Sequence, residues 1–158
     1  EVSLQFLGYS TIARDKSIYT TLDDALRRAA NRGVQVRLLV SDWEKGTPAE
    51  MPLKELSKVK NIEVKFSVIP EWSGGYISFA RVQHCKFIVV DGVSFWLGTS
   101  NAEKSYFYSA RNLGVVGNSK SLGGLMRRVF IKSWNGEYTE LVRADAKYEK
   151  REHGEKQP

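Results

Sequence analysis

Arg81-Val82-Gln83-His84-Cys85-Lys86-Phe87-Ile88-Val89-Val90-Asp91-Gly92-Val93-Ser94-Phe95-Trp96-Leu97-Gly98-Thr99-Ser100-Asn101 is the stretch that decides how this chain folds. Its first half, from Ala80 to Val90, is rich in Val, Ile and Phe and reads as a buried strand. A second apolar run, Val93 to Leu97, follows after only Asp91-Gly92, the pair that favours a two-residue type I′ hairpin turn. Such a turn lets the register be counted: Val90 faces Val93, Ile88 faces Phe95, Lys86 faces Leu97, His84 faces Thr99 and Val82 faces Asn101. Alternate residues on a strand, and residues directly opposite on its neighbour, share a face. His84, Lys86, Thr99 and Asn101 are therefore expected on one side. Their imidazole, ammonium, hydroxyl and carboxamide suit a phosphate oxyanion. Cys85 and Asp91 are expected on the other side, Cys85 as a small buried core residue.

The spacing His84-x-Lys86-x4-Asp91-x6-Gly98-Thr99-x-Asn101 resembles the HxKx4Dx6G[ST]xN signature of the phospholipase D superfamily, the HKD phosphodiesterases. The likeness extends to Gln5-Phe6-Leu7-Gly8-Tyr9-Ser10, Ala25 to Leu39, Ser78 to Val82 and Ser105-Tyr106-Phe107. Over residues 2–142 the chain is similar to the carboxy-terminal half of the branch that holds lysosomal phospholipase D-like nucleases and poxvirus envelope phospholipase-like proteins. The resemblance implies a phospholipase D-like HKD domain that works without a metal or other cofactor. It also implies a covalent phosphohistidine on one histidine and a second histidine that protonates the leaving group. Two departures stand out. Asn112 holds the place of the carboxylate that orients the histidine in related sequences, and Ala102 replaces the aromatic residue that commonly follows the asparagine.

Length and composition agree with one globular domain. The chain has 158 residues, and 42% hydrophobic content is far above what disordered chains carry. Residues 1–143 are expected to form one HKD half-domain. Residues 144–158 read as a charged, mobile tail or frayed helix that contains His153. The net charge of +6 is compatible with polyanionic partners, and equally with solubility alone. With two histidines and a single cysteine, no metal-ligand spacing is present and no metal site is expected. No apolar run reaches membrane-spanning length. The chain opens at Glu1 already in a strand-like segment, so it reads as a processed or excised piece and its compartment stays open.

In order, the chain is expected to open with a strand over Val2 to Leu7. A helix capped by Thr20 or Thr21 follows, with Asp23 and Asp24 in its first turn, and stops before Gly33. Val34 to Val40 reads as a strand buried on both faces. A loop from Ser41 to Pro52, a short helix over Leu53 to Val59 and a strand over Ile62 to Val68 come next. After the hairpin, Ala102 to Ser109 reads as a loop or short helix and Asn112 to Val116 as a strand. Leu122, Leu125, Met126, Val129, Phe130 and Trp134 mark a long helix from Ser119 to near Gly136 whose apolar stripe is core. The fold class is α/β: a mixed sheet sandwiched by helices on both faces. In the loop Pro70 to Tyr76, Trp72 and Tyr76 either form a substrate wall, stacking on a base or entering lipid, or close the edge of the core.

For chemistry, His84 serves as nucleophile or acid, while Lys86, Thr99 and Asn101 hold phosphate oxygens. Asp91 is the turn residue that the hairpin requires, with a structural or supporting role. Asn112 remains a candidate for orienting His84. His84 is the sole candidate catalytic histidine, so a two-histidine reaction needs a second HKD half. The resemblance to a carboxy-terminal half favours a missing amino-terminal segment over a homodimer partner, and favours His84 as the general acid. The leading function is phosphodiester hydrolysis on phospholipid or nucleic acid. The alternatives are phosphatidyl transfer to an alcohol and a non-catalytic anion-binding half-domain.

Overall fold

The computed structural model describes residues 1–150. Elements follow in the order β1 (Val2–Phe6), α1 (Thr21–Asn31), β2 (Val36–Ser41), α2 (Glu50–Ser57), β3 (Ile62–Ser67), β4 (Phe87–Val90), β5 (Ser94–Gly98), α3 (Lys104–Tyr108), β6 (Gly114–Asn118), α4 (Lys120–Trp134) and β7 (Thr139–Leu141). The strands form one seven-stranded sheet in the order β6-β5-β4-β1-β2-β3-β7. β1, β2 and β3 are parallel, whereas β4, β5, β6 and β7 each meet their neighbour antiparallel.

Alternation within the strands supplies two cores. Leu38 and Val40 point with Leu4, Phe6, Val64 and Phe66 to the face covered by α1 and α2. Leu39, between them, points to the other face with Phe87, Val89 and Phe95, where Met126, Phe130 and Trp134 of α4 cover it. The expected α/β sandwich is therefore present. α1 is tied to the end of β1 through Asp23, which accepts from the Tyr9 hydroxyl at 2.7 Å and from Arg27 Nε at 2.5 Å.

The hairpin has the expected turn and a different register. Asp91 and Gly92 both adopt positive φ (52° and 65°), and Val93 N–H donates to the Val90 carbonyl at 3.0 Å, as a type I′ turn requires. Yet Val90 pairs in the ladder with Ser94, Val89 with Phe95, Ile88 with Trp96 and Phe87 with Leu97. Val93 is an extra residue on the β5 side, a bulge that shifts every pair by one. Phe95 thereby joins Val89 under α4, and Trp96 joins Ile88 on the opposite face.

Other boundaries also move. Ladder pairing begins at Phe87 and not at Ala80, so strand alternation does not govern Cys85, which is exposed rather than buried. α2 starts earlier than expected, at Glu50, because Pro52 sits in its first turn, where the missing N–H has no partner to lose. β7 is too short for any periodicity to show. The stripe of α4 is core only in part: Met126, Phe130 and Trp134 are buried, while Leu122, Leu125 and Val129 stay exposed. The start of the charged tail makes contacts with the core. Tyr148 lies edge-on to Phe66 at 5.1 Å between ring centroids, and Lys54 Nζ donates to the Ala146 carbonyl at 2.6 Å. His153 lies outside the described residues.

α4 presses directly on the hairpin turn. A methyl group at Gly123 would stand 2.7 Å from the Gly92 carbonyl oxygen and 2.8 Å from that of Val93, both backbone atoms. Gly123→Ala gains roughly 1 kcal/mol of helix propensity but must displace that turn, an overpacking cost of about 1–3 kcal/mol. The expected result in urea unfolding is net destabilisation, whereas Gly124→Ala, whose nearest such contact is the Arg128 guanidinium at 3.7 Å, is expected to stabilise. A stabilised Gly123→Ala protein would contradict the close packing of α4 on the turn.

Candidate active site

The antiparallel pairing of β4 with β1 brings the entry to β4 beside the carboxyl end of β1. β5 returns to the same end, where Gly98 N–H donates to the Lys86 carbonyl at 3.1 Å. β6 leaves from it, with Gly114 opposite Gly98. The loop after Asn101 is pinned to the end of β1, because Ala102 N–H donates to the Gly8 carbonyl (3.1 Å) and Ser10 N–H to the Ala102 carbonyl (3.0 Å). His84, Lys86, Thr99, Asn101 and Asn112 consequently collect at one end of the sheet, beside the carboxyl ends of parallel strands where α/β proteins place ligands. Sheet connectivity gathers them; the face-sharing register counted from the sequence does not, since it is displaced by Val93.

His84 and Lys86 open into a cleft of about 380 Å³ walled by Leu97, Leu125, Met126 and Val129. His84 is exposed, and its pKa is held below the usual histidine value by partial burial and then by the Lys86 charge. Lys86 is only 7% exposed and donates from Nζ to the His84 carbonyl at 3.0 Å. Burial lowers its pKa too. The contact holds the ammonium at the base of the histidine and leaves it further donors for an anion.

Asn101 is 4% exposed; its Nδ2 donates to the Tyr106 hydroxyl at 3.1 Å, and its Oδ1 has no partner among the described residues. Thr99 Oγ1 donates to Asn112 Oδ1 at 3.0 Å and accepts from Leu113 N–H at 3.1 Å. Asn112 completes the link by donating to the Tyr106 carbonyl at 2.8 Å. The amide expected to orient His84 thus bonds Thr99 and the α3 backbone, because the β5–β6 register sets it beyond Thr99.

Asp91 stands at the opposite end of β4, in the hairpin turn. The length of β4 separates it from His84. Trp72 and Tyr76 border a concavity with Trp43 and Arg81 in the loop before β4, and are not among the residues lining the His84 cleft.

Two carboxylates escaped the sequence reading. Glu44, from the turn after β2, accepts from Tyr9 N–H at 3.2 Å and from the Thr47 hydroxyl at 3.4 Å. Burial, and then the charge of Glu103, pushes it up to about 7. Glu103 is raised as well, chiefly by burial. The signal that was available is positional, for Glu103 follows two residues after Asn101 and Glu44 leaves the carboxyl end of a parallel strand. Among the described residues, no group of three or more His, Cys, Asp or Glu is placed to hold a metal ion.

A family described as "Cardiolipin synthase, PLD-like domain" matches residues 7–134. Among curated proteins, the chain is 36% identical over 138 residues to phospholipase D Y of Dictyostelium discoideum, covering 84% of this chain and 31% of that protein. It is 30% identical over 155 residues to the 5'-3' exonuclease PLD3 of Bos taurus, covering 90% of this chain and 31% of that protein. The chain thus spans less than a third of the length of these relatives. Among solved structures, NucT from Helicobacter pylori superposes with a TM-score of 0.68 at 17% identity, over 84% of this chain and 77% of that one, a likeness of fold.

Proposed function

The chain belongs to the phospholipase D superfamily, and from that premise we propose that it forms one half of a phosphodiesterase active site. The observation that carries this reading is the meeting of His84, Lys86, Thr99 and Asn101 at one end of the sheet, with His84 and Lys86 open to a cleft. Lys86 and Asn101 bind the equatorial phosphate oxygens, and Thr99 adds a hydroxyl. A histidine from a second HKD half attacks phosphorus. The P–O bond to the leaving group breaks as His84 delivers its proton to that oxygen. Water, deprotonated by His84, then attacks the phosphohistidine, releases the first histidine and restores the starting state. The scheme needs no metal. The substrate class is a phospholipid or nucleic-acid phosphodiester.

The second half comes from a segment preceding this chain or from another copy, and the length of the relatives supports the former. The sheet offers such a half a surface. β6 is an edge strand whose Val115, 54% exposed, pairs with Leu97 on the face where Leu125 and Val129 of α4 stay uncovered. Contiguous apolar surface of this kind marks interaction sites.

The test is hydrolysis of bis(p-nitrophenyl) phosphate in EDTA, with solution mass measured by light scattering on the same sample. Activity is expected wherever two HKD halves are present, in a dimer of residues 1–158 or in a longer chain that carries both. A monomer of residues 1–158 hydrolysing as fast as the two-half species would contradict the shared site. Inactivity of every two-half species would favour the anion-binding reading instead.

A further inference from the structure

Glu44 and Glu103 have no task in the scheme above, yet they stand against the residue that binds phosphate in it. Both converge over Gly8, which is buried at the carboxyl end of β1. A methyl group there would overlap Glu103 Oε1 and stand 2.9 Å from Glu44 Oε1 and 3.2 Å from Asn101 Nδ2. The absence of a side chain at Gly8 is what leaves room for two carboxylates and an amide in one spot. The Asn101 amide also acts on Glu103, drawing its pKa down against the larger effect of burial. Its own Oδ1, buried with it, is orphaned among the described residues.

Like charges brought together in a poorly hydrated place are relieved by a cation or by a proton. The surroundings favour the proton. Among the described residues neither carboxylate forms an ion pair. Around Glu44 the partners are Glu103, Tyr9 N–H and the Thr47 hydroxyl. Around Glu103 they are Asn101, Glu44 and the more distant charge of Arg14. The neighbouring cation Lys104 is engaged with Asp15 and Ser17.

We propose that Glu44 and Glu103 are positioning residues for Asn101: sharing one proton, they leave its amide to the phosphate, and on losing that proton they clamp the amide and repel the anion. The inference rests on Asn101 as a phosphate ligand. The upward displacement of Glu44 to about 7 sets the window. Below it the pair carries one negative charge and above it two, so anion affinity falls as pH rises through neutrality. Such a site is at its best in mildly acidic surroundings. His84 titrates as well, but below its ordinary value, and its removal separates the two effects.

The experiment uses the intact chain with His84→Ala and sulfate as probe, since sulfate remains a dianion throughout. Sulfate affinity is measured by NMR at pH 6 and pH 8.5, and the ¹³C carboxyl signals of Glu44 and Glu103 are titrated on the same samples. Affinity is expected to fall at least tenfold at the higher pH, since one added charge within about 10 Å of the anion confers more than that at an effective dielectric near 20. Glu44→Gln should flatten that dependence, and Glu103→Gln should lower the Glu44 pKa without restoring its ordinary value, since burial is the larger cause. Equal affinity at the two pH values, or two carboxyls titrating independently near their ordinary values, would overturn the clamp. A coupled carboxyl titration with no sulfate bound at either pH would overturn the phosphate site itself, and the clamp with it.

Discussion

His84→Ala is expected to lower the rate on an alkyl phosphodiester by about 10³-fold, within the range of 10²–10⁴ for a lost general acid. The same variant is expected to lose far less in the first turnover on bis(p-nitrophenyl) phosphate, before the water step that also uses His84. An alkoxide needs a proton to depart, whereas p-nitrophenolate leaves without one. The ratio between the two substrates therefore reads the role of His84 directly. An equal collapse of both first turnovers would make His84 the nucleophile, and unchanged rates on both would remove it from the chemistry. The pH dependence has a definite sign. An acid works only while protonated, and burial and Lys86 hold the His84 pKa below its usual value. The rate on the alkyl ester should accordingly fall as pH rises through a point below about 6.5. In Lys86→Met the loss of that ammonium removes one cause of the shift, so this limb of the profile should move upward as phosphate binding weakens.

Phe130→Ala is expected to destabilise the protein by about 3–5 kcal/mol, the range for truncating a buried aromatic. Phe130 is fully buried and stacks on Trp134 with ring centroids 5.4 Å apart, and the two lie in the core with Leu39, Val89 and Phe95. Domain stability is on the order of 5–15 kcal/mol, so this one side chain accounts for much of the margin. Phe130→Leu, which leaves a smaller cavity, should lose less in urea unfolding. Leu125→Ala, on the uncovered part of the same helix, should change stability by about 0.5 kcal/mol or less in the isolated chain. A Leu125 cost as large as that of Phe130 would mean that α4 lies on the sheet by a different face.

The two helices differ in how far the sequence could resolve them. In α1, acidic residues in the first turn and Gly33 after the last locate both ends, because caps and dipoles act within one turn. In α4, the Ser119 cap accepts from Leu122 N–H as such a residue should. Its apolar stripe, however, is wider than the part the sheet covers, and periodicity cannot tell which side of a wide stripe a sheet will cover. The hairpin shows the same limit at finer scale. Asp91-Gly92 specified the turn conformation, but whether Val93 paired or bulged depended on which side of Phe95 met α4.

The sequence by itself determined the order of the strands and longer helices from β1 to α4, the turn at Asp91-Gly92 and the spacing of His84, Lys86, Thr99 and Asn101, all of which depend on neighbours a few residues away. The tertiary structure alone decided that Asn112 serves Thr99, that Cys85 is exposed, that Tyr148 packs on Phe66, and that Glu44 and Glu103 meet over Gly8. Those contacts join segments far apart in the chain, whose distances follow from strand order and register. A residue's local pattern carries no record of either.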